Sequence, residues 1–375
     1  MSDKRRKKDA DTPLTEEEAY RKAMGRGTRY RLLGVNPGLI ICAAFLCAII
    51  AACAAVIVNR GTRPTVPSGS GVPSTAEVSN VGGTQLSVSD TVGSGQTVGD
   101  SAPAPTGMTT VTAENIHAGE LILVNADHEY VFPDVPTDVS VYENKTKAYK
   151  VSDLEVTLSM NAITPFNRLM DDFYAVSECG DVLVVSGFRT EEFQRQLYAD
   201  RVASRGVEAA AKYVALPGQS EHHTGLAMDL SVYTASGDGY YVREYEKCKW
   251  LVENFENYGF VLRYPEEKAA LTGISYESWH YRYVGLPHSL VMKEKNLCLE
   301  EYIDYVHEFT DGKMLAWENG ASHEAQSFTG TDGAYLVWYV PATDGKAQVS
   351  VPGGRTYRIS GDNIAGFVVT VDPCA

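Results

Sequence analysis

The chain has 375 residues, 44% of them hydrophobic, and a formal net charge of −15. The roughly 260 residues from Glu114 onward hold one sizeable core plus a small appended domain. The acidic balance excludes nucleic acid as a natural partner.

Residues 1–37 form a basic tail crowded with Lys4, Arg5, Arg6, Lys7, Lys8, Arg21, Lys22, Arg26, Arg29 and Arg31. The apolar stretch 38–58 has about the twenty residues a helix needs to cross the hydrocarbon core, and predicts a single transmembrane helix. The basic flank places the N-terminus in the cytoplasm and the rest outside, with the cytoplasmic membrane as a partner. A cleaved signal peptide is the competing reading. The long basic region opposes it, as does the one small-x-small match, Ala52-Cys53-Ala54, which lies inside the apolar run. Residues 59–113 are rich in Gly, Ser, Thr, Val and Pro, too poor in core-forming residues to offset ordering entropy, and read as a flexible tether with a reach of about 40 Å. O-glycan attachment is the alternative use of such a segment.

The ordered region begins near Glu114. Leu121–Val124 and Val182–Val185 read as strands, the second bounded by Gly180-Asp181 and Ser186-Gly187. Thr190 is a candidate N-cap, with Glu191 and Glu192 in the first turn of a helix running towards Gly206. A second helical stretch, 207–216, stops at Pro217-Gly218. Leu226–Val232 reads as a strand with Leu226, Met228, Leu230 and Val232 on one face and Ala227, Asp229 and Ser231 on the other. Residues 244–258 read as a helix capped by Gly259, followed by strands at 260–262 and 279–284 and a closing helix at 299–308. Residues 310–375 carry short strands at 335–340, 347–351, 357–359 and 366–371, separated by Gly, Pro and Asp turns, and read as a small β-rich C-terminal domain. Wall-polymer binding and simple packing are its two candidate roles. Of seven cysteines, Cys42, Cys47 and Cys53 lie in the apolar span. Cys179, Cys248, Cys298 and Cys374 lie outside it, and either stay free or pair in one of three connectivities.

Ser220-Glu221-His222-His223-Thr224-Gly225-Leu226-Ala227-Met228-Asp229 and Glu277-Ser278-Trp279-His280 carry the chemistry. Two imidazoles and a carboxylate can close on one divalent metal, and a second carboxylate stands three residues before the last imidazole. A zinc hydrolase needs that inventory: three protein ligands, an open position for water and a general base. Asp229 is costly to bury in an apolar strand unless it is paired or binds a metal. Spacing alone does not choose between His222 and His223. Glu277 and His280 would point to opposite faces of one strand, so Glu277 belongs to the preceding turn, from which it can swing over a metal. Read singly, each piece also fits an ion pair, a surface histidine or an aromatic core strand.

Together the motifs resemble the VanY-type D-alanyl-D-alanine carboxypeptidases, zinc metallopeptidases of the M15B group. The likeness runs over about residues 118–308 and rests on Ser186-Gly187-Phe188-Arg189, Gln194, Ser220-Glu221-His222-x-Thr224-Gly225-x-Ala227-x-Asp229, Tyr258-Gly259-Phe260-x-Leu262-Arg263-Tyr264-Pro265, Thr272-Gly273 and Glu277-x-Trp279-His280-Tyr281-Arg282-Tyr283-Val284-Gly285. Ser278 stands where many relatives carry Pro, and Phe188 where many carry Tyr; neither change touches a ligand, although Ser278 would loosen the turn that aims Glu277.

The resemblance implies an α+β fold: a zinc DD-peptidase-like catalytic domain (114–309) with an antiparallel sheet and flanking helices, plus the β-rich C-terminal domain (310–375). It implies His222, Asp229 and His280 as zinc ligands and Glu277 as general acid/base. Arg189 would hold the scissile carbonyl and its developing charge, while Gln194 and Ser220 would contact the terminal D-alanine. The implied substrate is the D-Ala-terminated stem peptide of peptidoglycan, cut outside the membrane of a bacterium. L,D-carboxypeptidase action on tetrapeptide stems and a non-catalytic wall-binding module are the alternatives. The spare base at Glu277 opposes the latter, since structural zinc sites take four protein ligands.

Overall fold

A computed structural model describes residues 106–344 and 346–374. The described residues divide into two units, one of residues 106–232 with 241–374, the other holding residues 233–240. In the second unit only 233–240 is described, a turn closed by the Thr234 N–H donating back to the Asp238 carbonyl and leading to the short strand Gly239–Tyr240.

The fold class needs one correction. No helix among the described residues is long and apolar enough to cross a membrane. The longest, Met160–Ser177, turns Ala162, Ile163, Phe166, Leu169, Met170 and Phe173 inward, but carries Asn161, Asp171 and Asp172 on its exposed side. The transmembrane helix expected at 38–58 lies outside the described residues, as does most of the tail and tether around it. No span is present among the described residues to support the membrane as partner or the single-pass extracellular placement.

The larger unit holds two buried clusters. The first surrounds a sheet whose strands run in the order Lys150–Val151, Val182–Ser186, Ala227–Tyr233, His280–Tyr283 and Phe260–Leu262. All neighbours are antiparallel except the first pair, which is parallel, so the sheet is mixed and not wholly antiparallel. Leu226, Met228, Leu230 and Val232 face the helix Met160–Ser177, as strand alternation predicts, together with Val182, Val184, Phe260 and Tyr281. The opposite face of the central strands carries the chemistry. Asp229 and His280 are direct cross-strand partners, and a register shift between Val184 and Ser186 brings Ser186 opposite Asp229.

The second cluster joins C-terminal strands to the last helices. Strands Ala321–Ala325, Met314–Glu318, Tyr335–Pro341, Gly366–Val371 and Tyr357–Gly361 form one sheet in that order. Leu336, Trp338, Phe367 and Val369 share a core with Val291, Leu299, Tyr302, Ile303 and Val306 from helices His288–Lys295 and Leu299–Val306. Residues 106–112, read as the end of the tether, form a strand paired antiparallel with Lys346–Pro352.

Several elements differ from their expected form. Leu121–Val124 is buried but pairs with no strand: the Leu121 N–H donates to Ser360 Oγ and the Leu123 N–H to the Asp362 carbonyl. One side chain and one isolated carbonyl thus satisfy a backbone that the apolar run alone assigned to a ladder. The helix expected over 244–258 breaks into an α-helix, Lys249–Asn254, between short 3₁₀ turns, and the one after Gly206 ends at Ala211. The Thr190 cap forms, accepting from the Phe193 N–H at 3.1 Å, and Gly259 closes its turn at φ 89°. All four outer cysteines are free, with Cys374 alone exposed.

Candidate metal centre

Three segments converge on one point. His222 sits in the turn Glu221–Thr224, Asp229 in the strand that leaves it, and His280 at the start of the strand paired with that one. Gly225 permits the sharp exit: its φ is 67°, and a Cβ there would stand 1.7 Å from Asp138 Oδ1. Gly187 permits the approach from the other side, since a Cβ there would lie 2.2 Å from the Thr157 carbonyl.

Hydrogen bonds fix which atom each ligand offers. His222 Nδ1 lies 2.7 Å from the Gly187 carbonyl, which only accepts, so Nδ1 carries the hydrogen and Nε2 presents its lone pair. Nε2 is 3.3 Å from Asp229 Oδ1. His280 Nδ1 is also 3.3 Å from that oxygen, and 3.6 Å from Glu277 Oε2. Asp229 Oδ2 is taken by Arg189 Nη2 at 2.6 Å, whereas buried Oδ1 has no hydrogen-bond partner. Four ligands at the zinc–nitrogen distance of ~2.0–2.1 Å would stand about 3.3 Å apart at the corners of a tetrahedron. Asp229 Oδ1 stands at that spacing from both imidazole nitrogens, the three donor atoms all lie within 4.8 Å of one another, and their nitrogen and oxygen types suit zinc.

His223, the imidazole that spacing left open, is committed elsewhere. Its Nδ1–H donates to the Arg189 carbonyl at 2.7 Å, and its Nε2 accepts from the Gly218 N–H at 3.1 Å. It braces the loop that carries Arg189.

The electrostatics follow from burial among mixed charges. Burial works to raise the Asp229 pKa, but His222 and Arg189 outweigh it and hold the carboxyl well below the usual range. Burial, reinforced by Arg189, pushes the His222 imidazole down to about 4. Burial would also lower His280, but Asp229, Glu221 and Glu277 outweigh it and lift the imidazole to about 9.

The other expected site residues lie around this centre in different relations to it. Glu277 is buried in the turn before the His280 strand, its N–H donating to the Tyr264 carbonyl at 3.1 Å. Arg189 faces Asp229 and donates through Nε to Ser186 Oγ at 3.1 Å. Gln194 is buried on the following helix: its Nε2 donates to the Ala215 carbonyl, and its Oε1 has no hydrogen-bond partner. Ser220 is buried at the entry to the His222 turn.

Sequence reading missed the groups behind the ligands. Glu221 is fully buried, and its Oε1 accepts from Arg263 Nε at 2.7 Å and Arg282 Nη1 at 2.9 Å. Arg263 also forks onto both oxygens of Glu300 at 2.9 and 2.7 Å. The available signal was the one that singled out Asp229: a charged residue, Arg282, inside an otherwise apolar aromatic strand.

Two imidazoles and one carboxylate around a shared point, with a further buried carboxylate beside them, define a metallohydrolase centre of the zinc peptidase type. A family model described as VanY, D-alanyl-D-alanine carboxypeptidase, matches residues 155–286. That span contains all seven expected site residues. The chain is 34% identical over 267 residues to a D-alanyl-D-alanine carboxypeptidase of Enterococcus faecium, covering 70% of this chain and 78% of the relative. It is 44% identical over 158 residues to the bifunctional D-Ala-D-Ala dipeptidase and carboxypeptidase VanXYC of Enterococcus gallinarum, covering 41% of this chain and 82% of that one. Among solved structures, the vancomycin-resistance D,D-dipeptidase VanXYg in complex with a D-Ala-D-Ala phosphinate analogue superposes with a TM-score of 0.59 at 31% identity, over 71% of this chain and 99% of that one. The chain belongs to the VanY family of D-alanyl-D-alanine carboxypeptidases.

Proposed function

We infer that this protein is a zinc-dependent carboxypeptidase that hydrolyses the terminal D-Ala from peptidoglycan stem peptides. The observation that carries the reading is the convergence of His222 Nε2 and His280 Nδ1, each 3.3 Å from the unpartnered Asp229 Oδ1, with Glu277 alongside. Bound there, zinc supplies a water of near-neutral pKa and a Lewis acid for the peptide carbonyl.

The remaining work falls to the chain. Glu277 takes the proton of the attacking water on its carboxylate and returns it to the leaving D-alanine nitrogen. Arg189, clamped by Asp229 and Ser186, holds the scissile carbonyl and stabilises the negative charge that develops on it. That clamp fixes the guanidinium before substrate arrives, so orientation costs little at the moment of reaction. Gln194, through its unpartnered Oε1, would accept the amide N–H of the substrate's last residue, and Ser220 would also contact that terminal D-alanine. All of these residues lie within 114–309, the proposed peptidase domain, and 310–375 contributes through packing.

The test is incubation of the purified full-length, zinc-loaded chain with synthetic pentapeptide and tetrapeptide stems and with free D-Ala-D-Ala, followed by mass measurement. The expected result is loss of one alanine from the pentapeptide, abolished by a chelator and restored by zinc. A pentapeptide left intact by a zinc-loaded protein overturns the reading, and cleavage confined to the tetrapeptide or the dipeptide reassigns its substrate.

A further inference from the structure

Glu221 takes no part in the chemistry above, yet it is the most enclosed carboxylate near the centre, with a fully buried side chain. Both guanidinium contacts, from Arg263 and Arg282, fall on Oε1. Oε2 is buried without a hydrogen-bond partner, and so is Nε2 of His280. These two atoms face each other at 3.5 Å. The opposite nitrogen of the same ring, Nδ1, faces Asp229 and Glu277.

A metal-ligating imidazole is neutral and carries one N–H. On Nε2, that hydrogen points at the Glu221 carboxylate and leaves the Nδ1 lone pair for the metal. On Nδ1, it would project into the centre and set the Nε2 lone pair against an anion. We propose that Glu221 is a positioning residue for zinc: it fixes His280 as the Nε2–H form and aims Nδ1 at the metal position. A ligating histidine oriented by a carboxylate on its far nitrogen is a general device for raising metal affinity. Here the carboxylate is the immediate neighbour of a second ligand, His222, so one short turn sets both imidazoles. Arg263 and Arg282 hold Oε1 and thereby orient Oε2.

Glu221→Gln tests the assignment because it inverts the polarity. If its carbonyl oxygen keeps the two arginines, its amide N–H₂ faces His280 Nε2 and favours the Nδ1–H form, which leaves no lone pair on Nδ1 to face the metal position. The proposal rests on the zinc reading, so the experiment measures zinc affinity of the full-length protein by competition with a chromophoric chelator. Glu221→Gln is expected to bind zinc about 10- to 100-fold more weakly than the unaltered chain. Glu300→Gln, which disturbs the same arginine network without touching His280, is expected to lose thermal stability but to keep zinc affinity near the unaltered value. Equal affinity in Glu221→Gln and the unaltered chain overturns the proposal, as does an equal loss in both variants, which would make Glu221 merely structural. If Glu221→Gln fails to fold, the ¹⁵N signals of the zinc-loaded unaltered protein decide: zinc on His280 Nδ1 with hydrogen on Nε2 is expected, and zinc on Nε2 refutes it. An unaltered chain that binds no zinc defeats the zinc reading itself.

Discussion

Replacing Arg282 with Leu should destabilise the whole fold without touching a reacting group. The Arg282 side chain is fully buried, one strand position beyond the backbone neighbour of His280. It donates to Glu221 Oε1, to the Glu120 and Ile122 carbonyls at 3.0 Å each, and through Nε to the Tyr283 carbonyl at 3.0 Å. Glu221, Arg263, Arg282 and Glu300 balance as two positive and two negative charges. Leucine leaves a net negative charge buried and strips three carbonyls of a donor. Removing one partner of a buried pair costs about 3–5 kcal/mol, and the orphaned carbonyls place this case at the upper end. At about 2–4 °C per kcal/mol for a large domain, the melting temperature should fall by about 10 °C or more. Arg282→Lys keeps the charge but not the fork, and should fall between the two. The assay is thermal unfolding followed by circular dichroism, with metal removed by chelator so that zinc binding does not mask the loss. A leucine variant that melts within ~2 °C of the unaltered chain would refute the reasoning, since surface-like substitutions have effects of that size.

Glu277→Gln should lower kcat by about 10²- to 10⁴-fold while zinc affinity stays close to that of the unaltered chain, because the residue is proposed as base and not as ligand; equal activity, or loss of metal, would contradict that role. His288 is buried between the Tyr302 hydroxyl and Thr370 Oγ1, and burial pushes its pKa down to about 3. The native state therefore stays unprotonated while the unfolded chain takes up a proton below about pH 6.5, so this group's contribution is intact above that pH and is lost as pH falls towards 3, by at most about 1.4 kcal/mol per unit. Denaturant titrations at pH 7, 6 and 5 should show that slope shrink in His288→Gln, and an unchanged slope would exclude His288 as its source. Gly225→Ala should destabilise through both the left-handed backbone, about 1–2 kcal/mol, and collision with Asp138. Adding Asp138→Ala should recover only the collision part in urea melts; full recovery would show that the backbone angle costs nothing.

The ligand set was legible because its signals are local. A carboxylate in an apolar strand, a turn rich in histidine and glycine, and strand alternation around His280 all survive in one dimension. Alternation also placed Leu226, Met228, Leu230 and Val232 correctly in the core. The choice of His222 over His223 was not local. It depends on Gly187, Arg189 and Gly218, whose backbone groups reach those rings only in the folded chain. The helix Met160–Ser177 was missed although its buried residues recur at helical spacing, and Pro165 within it argues against a helix on propensity. Leu121–Val124 was misread for the opposite reason: its composition is strand-like, but its hydrogen-bond partners lie more than 150 residues away.

The C-terminal strands reach the metal centre through that same segment, and this makes a truncation informative. In the turn after Gly361, Asp362 Oδ1 accepts the N–H groups of Ile364, Ala365 and Gly366, while Asn363 takes a left-handed φ of 64°. So shaped, the turn grips residues 116–129: Asn363 Nδ2 donates to the Leu123 and Glu129 carbonyls, and the Asp362 carbonyl accepts from Leu123. That held segment presents the Glu120 and Ile122 carbonyls to Arg282, which orients Glu221. It also sends the Tyr130 N–H to the Gly218 carbonyl, in the loop that braces His223 and so the Arg189 backbone. Ending the chain at residue 309 would remove this grip and expose Val291, Leu299, Tyr302, Ile303 and Val306, all buried against C-terminal strands. Exposing five such side chains forfeits about 1.5–3 kcal/mol each, comparable to the whole stability of a domain. The truncated chain should therefore be unfolded by circular dichroism and rapidly digested by protease, although it keeps every ligand and Glu277. A folded, zinc-binding peptidase ending at residue 309 would show that the metal centre stands without those strands and that the hydrogen-bond path from Asn363 to Arg282 is dispensable.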